Sequence, residues 1–193
     1  MDETSASLLD RLRLQPDGDA WTRLVELYTP LIRGWLVRHG LPPQECDDVV
    51  QDVLQIVVRR VPEFRRQRTG SFRTWLRAIA VNCLRDFWKT RHGEPAASGN
   101  SEFAQMLEQL ADPNSGLSQQ WDQEHDRHVS QKLLETIRPA FEARTWQAFQ
   151  RVAIDGASAD QTAAELGISV NAVFIAKSRV LNRLRQEAQG LVD

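Results

Sequence analysis

Strand signals are nearly absent from this sequence of 193 residues. No alternation of apolar and polar residues at period two stands between turn residues, which argues against a β-rich fold. Long apolar runs are missing as well. The stretch VVQDVLQIVV (49–58) is broken by Asp52 and Gln55 and is too short to cross a bilayer, so membrane insertion is not expected. The opening MDETSASLLDRLRLQPDGDAW has acids where a signal peptide would carry bases, and no apolar core, which points to a cytoplasmic protein. The two cysteines, Cys46 and Cys83, lie far apart and form no CxxC pair, as expected of reduced thiols in that compartment. Catalytic signatures are lacking too: no GxxxxGK, GxSxG or HExxH occurs, and no triad or carboxylate pair stands out. A non-enzymatic, cofactor-free protein is expected. His125 and His128 in DQEHDRH are one helical turn apart, a spacing that can hold a metal. No cysteine or third histidine completes the set, so a solvated helix start is the reading for this segment.

What is present is helical periodicity. A hydrophobic content of 41% and a charged content of 26% belong to a globular chain rather than a disordered one. Trp21, Leu24, Val25, Tyr28, Ile32 and Trp35 recur at helical spacing, with Pro30 expected to bend or split that helix. GLPPQE (40–45) reads as a turn. Val50, Val53, Leu54, Val57 and Val61 form a second apolar stripe that ends near Pro62. RRQRTGS (65–71) reads as a loop, and Phe72, Trp75, Leu76, Ile79, Cys83 and Phe87 make a third stripe. From Gly93 the composition turns to Gly, Pro, Ser, Asn and acids, with room for one short helix around residues 103–110. Helices resume near Trp121. The expected architecture is all-α: two small helical domains over residues 1–92 and 127–193, joined by an acidic, flexible linker over 93–126.

The net charge of −2 conceals segregation. Between residues 54 and 92 the bases Arg59, Arg60, Arg65, Arg66, Arg68, Arg73, Arg77, Arg85, Lys89 and Arg91 face only Glu63 and Asp86. The next segment reverses the balance, with Glu94, Glu102, Glu108, Asp112, Asp122, Glu124 and Asp126 against Arg127. The last helix is basic again at Lys177, Arg179, Arg183 and Arg185. Two basic patches on either side of an acidic tether suit two contacts with one polyanion, driven by counterion release. A single base in such a run is by itself a solvated helix face.

The segment QTAAELGISVNAVFIAKSRVLNRLR (161–185) carries a helix-turn-helix pattern. Gly167 can take the positive φ of a sharp helix-ending turn. Ser169 is a natural N-cap for the next helix. Val173, Val180 and Leu184 turn one side of that helix inward, and Asn171, Ala172, Phe174, Lys177, Ser178 and Asn182 fall largely outside the stripe. Such a second helix can enter the major groove with its first residues at base edges and its basic half on phosphates. An ordinary helical hairpin would share part of this pattern.

ECDDVVQDVLQIVVRRVPEFR, GSFRTWLRAIAVNCLRDFWK and the C-terminal helix-turn-helix, in that order and spacing, resemble a bacterial RNA polymerase sigma factor of the small two-domain kind, the extracytoplasmic-function (ECF) group. The resemblance implies a transcription initiation factor that binds core RNA polymerase, directs it to specific promoters and aids promoter melting. It implies a core-polymerase contact through Asp48, Gln51, Asp52 and Gln55, opposite the Val50/Val53/Val57 stripe. It implies capture of the minus-ten element as single-stranded DNA by the 64–72 loop and the helix after it. Asn82 would read a flipped base there, with Arg65, Arg66, Arg68, Arg73 and Arg77 on the backbone. Trp75, on the apolar stripe, is read as core, and Trp88 as a stacking or partner surface. It implies duplex reading of the minus-thirty-five element by Ser169, Asn171, Ala172, Phe174, Lys177, Ser178, Arg179 and Arg183. The chain departs from the commonest family pattern here, with Phe174, Ile175 and Ala176 where small or basic residues usually follow the valine. An anti-sigma factor is a further implied partner. Two other readings compete: a stand-alone helix-turn-helix regulator that binds a palindromic duplex without polymerase, and an adaptor that binds polymerase or a sigma factor but not DNA.

Overall fold

The structure is a computed structural model, and it describes residues 7–14, 18–65, 71–92 and 101–192. Among the described residues all regular structure is helical. None of these helices is long and apolar enough to cross a membrane. The chain divides into two compact bodies. One spans residues 6–129 with the tail 189–193, and the other spans 130–188.

The first body opens with α1, Leu8–Leu14, which buries Leu8, Leu9 and Leu12. The Ser7 hydroxyl caps it, accepting from the Asp10 backbone N–H at 3.2 Å. This helix is too short to announce itself by periodicity and was not anticipated. α2, Gly18–Arg38, runs through Pro30 as one helix, so the expected split does not occur. It buries Leu24, Leu27, Tyr28, Leu31, Ile32, Trp35 and Leu36, a stripe wide enough for packing to outweigh the backbone bond that proline removes. Val25, expected on that stripe, is 40% exposed. Gly40, at φ 90°, makes the turn into α3, Pro43–Arg60. Pro43 stands in the first turn of α3, where its missing N–H costs nothing. A 3-10 turn, Val61–Glu63, closes α3, and α4 follows at Ser71–His92.

The acidic segment carries more structure than a tether. α5, Ser101–Ala111, buries Phe103, Leu107 and Leu110, and its Phe103 ring stacks on Trp88 at 3.9 Å between centroids. α6, Gly116–Ile137, begins in this body. It is capped by the Ser115 hydroxyl, which accepts from the Ser118 N–H at 3.0 Å. Ser118, Trp121, His125 and Val129 recur at three- and four-residue spacing and are all buried. Trp121 meets Trp35 edge-on at 5.2 Å. The flexible linker expected over 93–126 is therefore corrected at 101–111 and 116–126: apolar and aromatic burial beats chain entropy there. Its first residues, 93–100, lie outside the described set.

The second body contains the end of α6, a 3-10 turn at Arg138–Ala140, and α7 at Ala143–Phe149, which runs into a π-helical turn at Gln150–Ile154. α8, Ala159–Leu166, and α9, Val170–Ala188, complete it. Ile137, Trp146, Phe149 and Val180 form its core, with Leu134, Phe141, Leu181 and Leu184 packed around them.

Trp121→Ala tests whether the acidic segment is part of the first body. Truncating a buried tryptophan should cost roughly 3–5 kcal/mol. Urea denaturation would read that loss. A detached segment would show a change within roughly 0.5 kcal/mol, as for ordinary surface sites.

Candidate nucleic-acid and polymerase interface

Three aromatic rings set the frame of the basic loop. Phe64, at the exit of the 3-10 turn, meets Phe72, in the first turn of α4, edge-on at 5.4 Å. Trp75 lies 5.1 Å from Phe64 and 5.4 Å from Phe72. The two ends of the loop are thus pinned to one cluster, and Trp75 serves packing, as its place on the apolar stripe suggests. Arg65 is exposed at the start of the loop. Arg66 and Arg68 lie outside the described residues.

Arg73 and Arg77 stand one turn apart on α4, and both point at α6. Arg73 Nη1 donates to Asp126 Oδ2 at 2.7 Å, and its Nε lies 3.4 Å from Asp122 Oδ2. Arg77 Nη1 donates to Asp122 Oδ1 at 2.6 Å and to the Ser118 carbonyl at 3.1 Å. Arg77 is only 4% exposed. Burial draws its guanidinium below the usual value, with Asp122 pulling the other way and Arg73 adding to the fall; an arginine so placed still keeps its charge. Arg38 forms an ion pair with Glu124 on the same helix.

His125 continues this network inward. It is fully buried, with Nδ1 3.0 Å from Asp126 Oδ1 and Nε2 3.2 Å from the Tyr28 hydroxyl. Burial first, and then the Asp126 charge, hold the Tyr28 phenol well above its ordinary value, so it stays a donor. Both ring nitrogens of His125 thus have a partner, Asp126 at Nδ1 and the Tyr28 hydroxyl at Nε2. His128 Nε2 donates to the Leu27 carbonyl at 2.8 Å. The segment read as a solvated helix start is a buried hydrogen-bonded seam. The reason is that Trp121 and His125 fall on the same face as Ser118 and Val129.

The other face of α4 is open. Asn82 is exposed, and Arg85, one turn on, is exposed with no carboxylate partner among the described residues. Sequence reasoning counted Arg85 among the bases without placing it at the site; its spacing of three from Asn82 is the signal that could have placed it there. Trp88, expected as an open surface, is covered by Phe103 of α5. On α3, Asp48, Gln51, Asp52 and Gln55 are all exposed, on the side opposite buried Val49, Val53 and Val57. They stand between two depressions. One, of about 330 Å³, lies against α4 and is lined by Asp48, Gln51, Asp52, Asp86, Phe87, Thr90 and Arg91. The other, of about 490 Å³, lies against α2 and has Val25, Val50, Leu54 and Val58 among its lining. Asp48 accepts from Arg91 Nη2 at 2.7 Å, and Arg91 lies over the Phe87 ring at 4.8 Å.

The helix-turn-helix forms in the second body as the sequence spacing predicts. The Ser158 hydroxyl caps α8 by accepting from the Gln161 N–H at 3.1 Å. Gly167 ends it at φ 62°, ψ 42°. The Ser169 hydroxyl caps α9 by accepting from the Ala172 N–H at 3.1 Å, which commits it locally. Thr162 and Ala163 of α8 and Val173, Ala176 and Val180 of α9 are buried. Arg151 holds Glu165 through two bonds of 2.8 Å, and those bonds depress the Glu165 carboxyl. Opposite the core stripe, α9 exposes Asn171, Phe174, Ile175, Ser178 and Arg179 on one face, with Phe174 at 55% and Ile175 at 45%. Ala172, Lys177 and Arg183 flank it, half-buried, and Arg183 is engaged by Glu187 at 2.7 Å. Ile175 belongs to this face although sequence reasoning gave it no site role: an apolar residue in an amphipathic helix reads as core.

Together these elements define an all-α protein with a helical bundle in one body and a helix-turn-helix in the other. Residues 24–93 match the family model described as Sigma-70 region 2. No curated protein matches the chain. Among solved structures it is similar to CnrH in complex with the cytosolic domain of CnrY, at 23% identity over 92% of each chain, with a TM-score of 0.37.

The two classes of arginine should separate in stability. Arg77→Ala strips a nearly buried ion pair of one partner and should cost roughly 3–5 kcal/mol. Arg65→Ala, at an exposed position, should stay within about 0.5 kcal/mol. Chemical denaturation of the two variants checks the contrast.

Proposed function

We propose that the chain is a transcription initiation factor of the ECF group. Residues 1–92 act as region 2 and 127–193 as region 4. It binds core RNA polymerase, brings it to a specific set of promoters and helps to open the minus-ten element. The observation that carries this reading is the region 2 match over 24–93, which falls on the helices that expose both the polar face of α3 and Asn82 of α4.

Asp48, Gln51, Asp52 and Gln55 form the polymerase contact in this reading. Asn82 reads an unstacked base, since its amide both donates and accepts. Extruding a base costs a few kcal/mol, so the site must return stacking, hydrogen bonds and phosphate contacts. Arg65 and Arg85 are open to the strand backbone, with Arg66, Arg68, Arg73 and Arg77 as the further bases of this patch. In the second body the face of Asn171, Phe174, Ile175, Ser178 and Arg179 enters the major groove of the minus-thirty-five element. Phe174 and Ile175 meet thymine methyl groups there, because apolar side chains are what a C5-methyl can recognise. Ala172, Lys177 and Arg183 border this contact, and Ser169 fixes the helix start. An anti-sigma factor is a further proposed partner, and the cytoplasm the proposed compartment.

The test mixes the purified chain with core polymerase and a promoter library and sequences the transcripts. Transcription from a restricted promoter set is expected, and none from any core would remove the proposal. Asn82→Ala should weaken promoter opening, read by permanganate reactivity of unpaired thymines, while leaving core binding intact. Phe174→Ala should weaken minus-thirty-five duplex binding by roughly 5- to 150-fold, the equivalent of about 1–3 kcal/mol for one lost base contact. Uracil in place of the contacted thymine should weaken native binding and leave the variant unaffected.

A further inference from the structure

Four charged side chains stand in two facing pairs where α4 meets the first half of α6. Arg73 and Arg77 are four residues apart on one helix, and Asp122 and Asp126 are four apart on the other. Asp122 touches both arginines, at 3.4 Å and 2.6 Å, and Asp126 takes Arg73 at 2.7 Å. A spacing of four residues sets the members of each pair about 6 Å apart along the helix. Carboxylate and phosphate compete for the same guanidinium fork. A phosphate cannot reach either arginine while the carboxylates are seated, both for space and for like-charge repulsion.

From this geometry we propose that the start of α6 is a built-in competitor of nucleic acid. Asp122 and Asp126 occupy the phosphate-binding positions of Arg73 and Arg77, and single-stranded DNA engages these arginines only after α6 lifts from α4. The proposal rests on the reading of Arg73 and Arg77 as strand-holding residues and adds how that site is regulated. The cover is held by more than charge: Trp121 is buried edge-on against Trp35, and His125 is tied to Tyr28. The closed form therefore dominates in the free chain. Opening takes the binding energy of a larger partner or of the strand itself. Arg65 and Arg85 stay open throughout and can make the first contact.

The experiment uses the full chain and a short fluorescein-labelled single-stranded oligonucleotide, with binding read by anisotropy over a range of salt. The double variant D122N/D126N keeps the shape of both side chains and removes their charge. It should bind roughly 10-fold tighter than the native chain at low salt, and the slope of log K against log salt should steepen by about 1.4, the value for two added phosphate contacts on a single strand. Adding Arg73→Gln to that variant should return the affinity most of the way to native. E102Q/E108Q, which removes equal charge from exposed positions on α5, should stay within about twofold of native. In the native chain, adding oligonucleotide should speed amide exchange over 116–129, a readout that does not depend on any variant folding.

Equal or weaker binding by D122N/D126N overturns the proposal, as does equal tightening by E102Q/E108Q or slower exchange over 116–129. If Arg73→Gln weakens native binding while D122N/D126N changes nothing, the strand-holding role stands and the cover does not. If Arg73→Gln has no effect in either background, the strand-holding role of Arg73 itself fails.

Discussion

The first half of α6 is held to the first body by α4 on one side and α2 on the other. These contacts join a fully buried Trp121, a buried His125 with both ring nitrogens engaged, and a nearly buried Arg77 between a carboxylate and a backbone carbonyl. Each of these groups would be costly to bury alone. An unpaired guanidinium or carboxylate in such a place loses far more solvation than a hydrogen bond returns. Arg77, His125 and their partners satisfy one another, while the indole N–H of Trp121 stays buried without a hydrogen-bond partner among the described residues. The acids of this segment therefore act first as internal partners for the bases of α4. Only those bases left without an internal partner offer charge to an outside molecule.

This changes what the charge pattern means. In sequence, residues 54–92 look like one basic patch. In the fold the arginines among the described residues sort into three groups. Arg73 and Arg77 are neutralised by α6, and Arg91 by Asp48. Arg59, Arg60, Arg65 and Arg85 remain exposed without a carboxylate partner among the described residues. The second body sorts its charges in the same way. Arg151 is held by Glu165 and Arg183 by Glu187, while Arg179 stays on the open face of α9. A count of bases along a chain overstates the charge available to phosphate wherever the acids that answer them are distant in sequence but adjacent in space.

Much of the fold was legible because it obeys local rules. The apolar stripes of α3 and α4, the Pro42–Pro43 entry to α3, and the Gly167 and Ser169 signals around the second turn each act within a few residues of where they are read. The exposed faces of α3 and α9 followed from the same stripes, since what is not turned inward is turned outward. The sequence misled where burial was carried by residues that usually sit outside. The inward stripe of α6 includes Ser118, Trp121 and His125, so it does not look hydrophobic, and the acids beside it suggested solvent. α1 was missed because seven residues hold too few turns for a period to show. A split at Pro30 was expected because its local cost is real; the buried stripe of α2 on both sides of it is a longer-range fact.

In the proposed function the two bodies answer the same problem, presenting an ordered face to nucleic acid, by opposite means. In α9 the face is permanently open. Its apolar members, Phe174 and Ile175, give up burial to stay in solvent, and the helix is fixed by its cap at Ser169 and by buried Val173, Ala176 and Val180. Such a face suits a duplex, whose base edges are already displayed and need no rearrangement to be met. In α4 one face, with Asn82 and Arg85, is open, and the other, with Arg73 and Arg77, is closed by the chain itself. That asymmetry suits a strand that must first be unpaired. Under the proposed cover, initial contact would fall to the open residues, and the preorganised pair of arginines would become available only once enough binding had accumulated to displace its internal carboxylates. In that proposal binding energy would be returned late, after strand separation had begun, rather than stabilising the closed duplex from which separation must start.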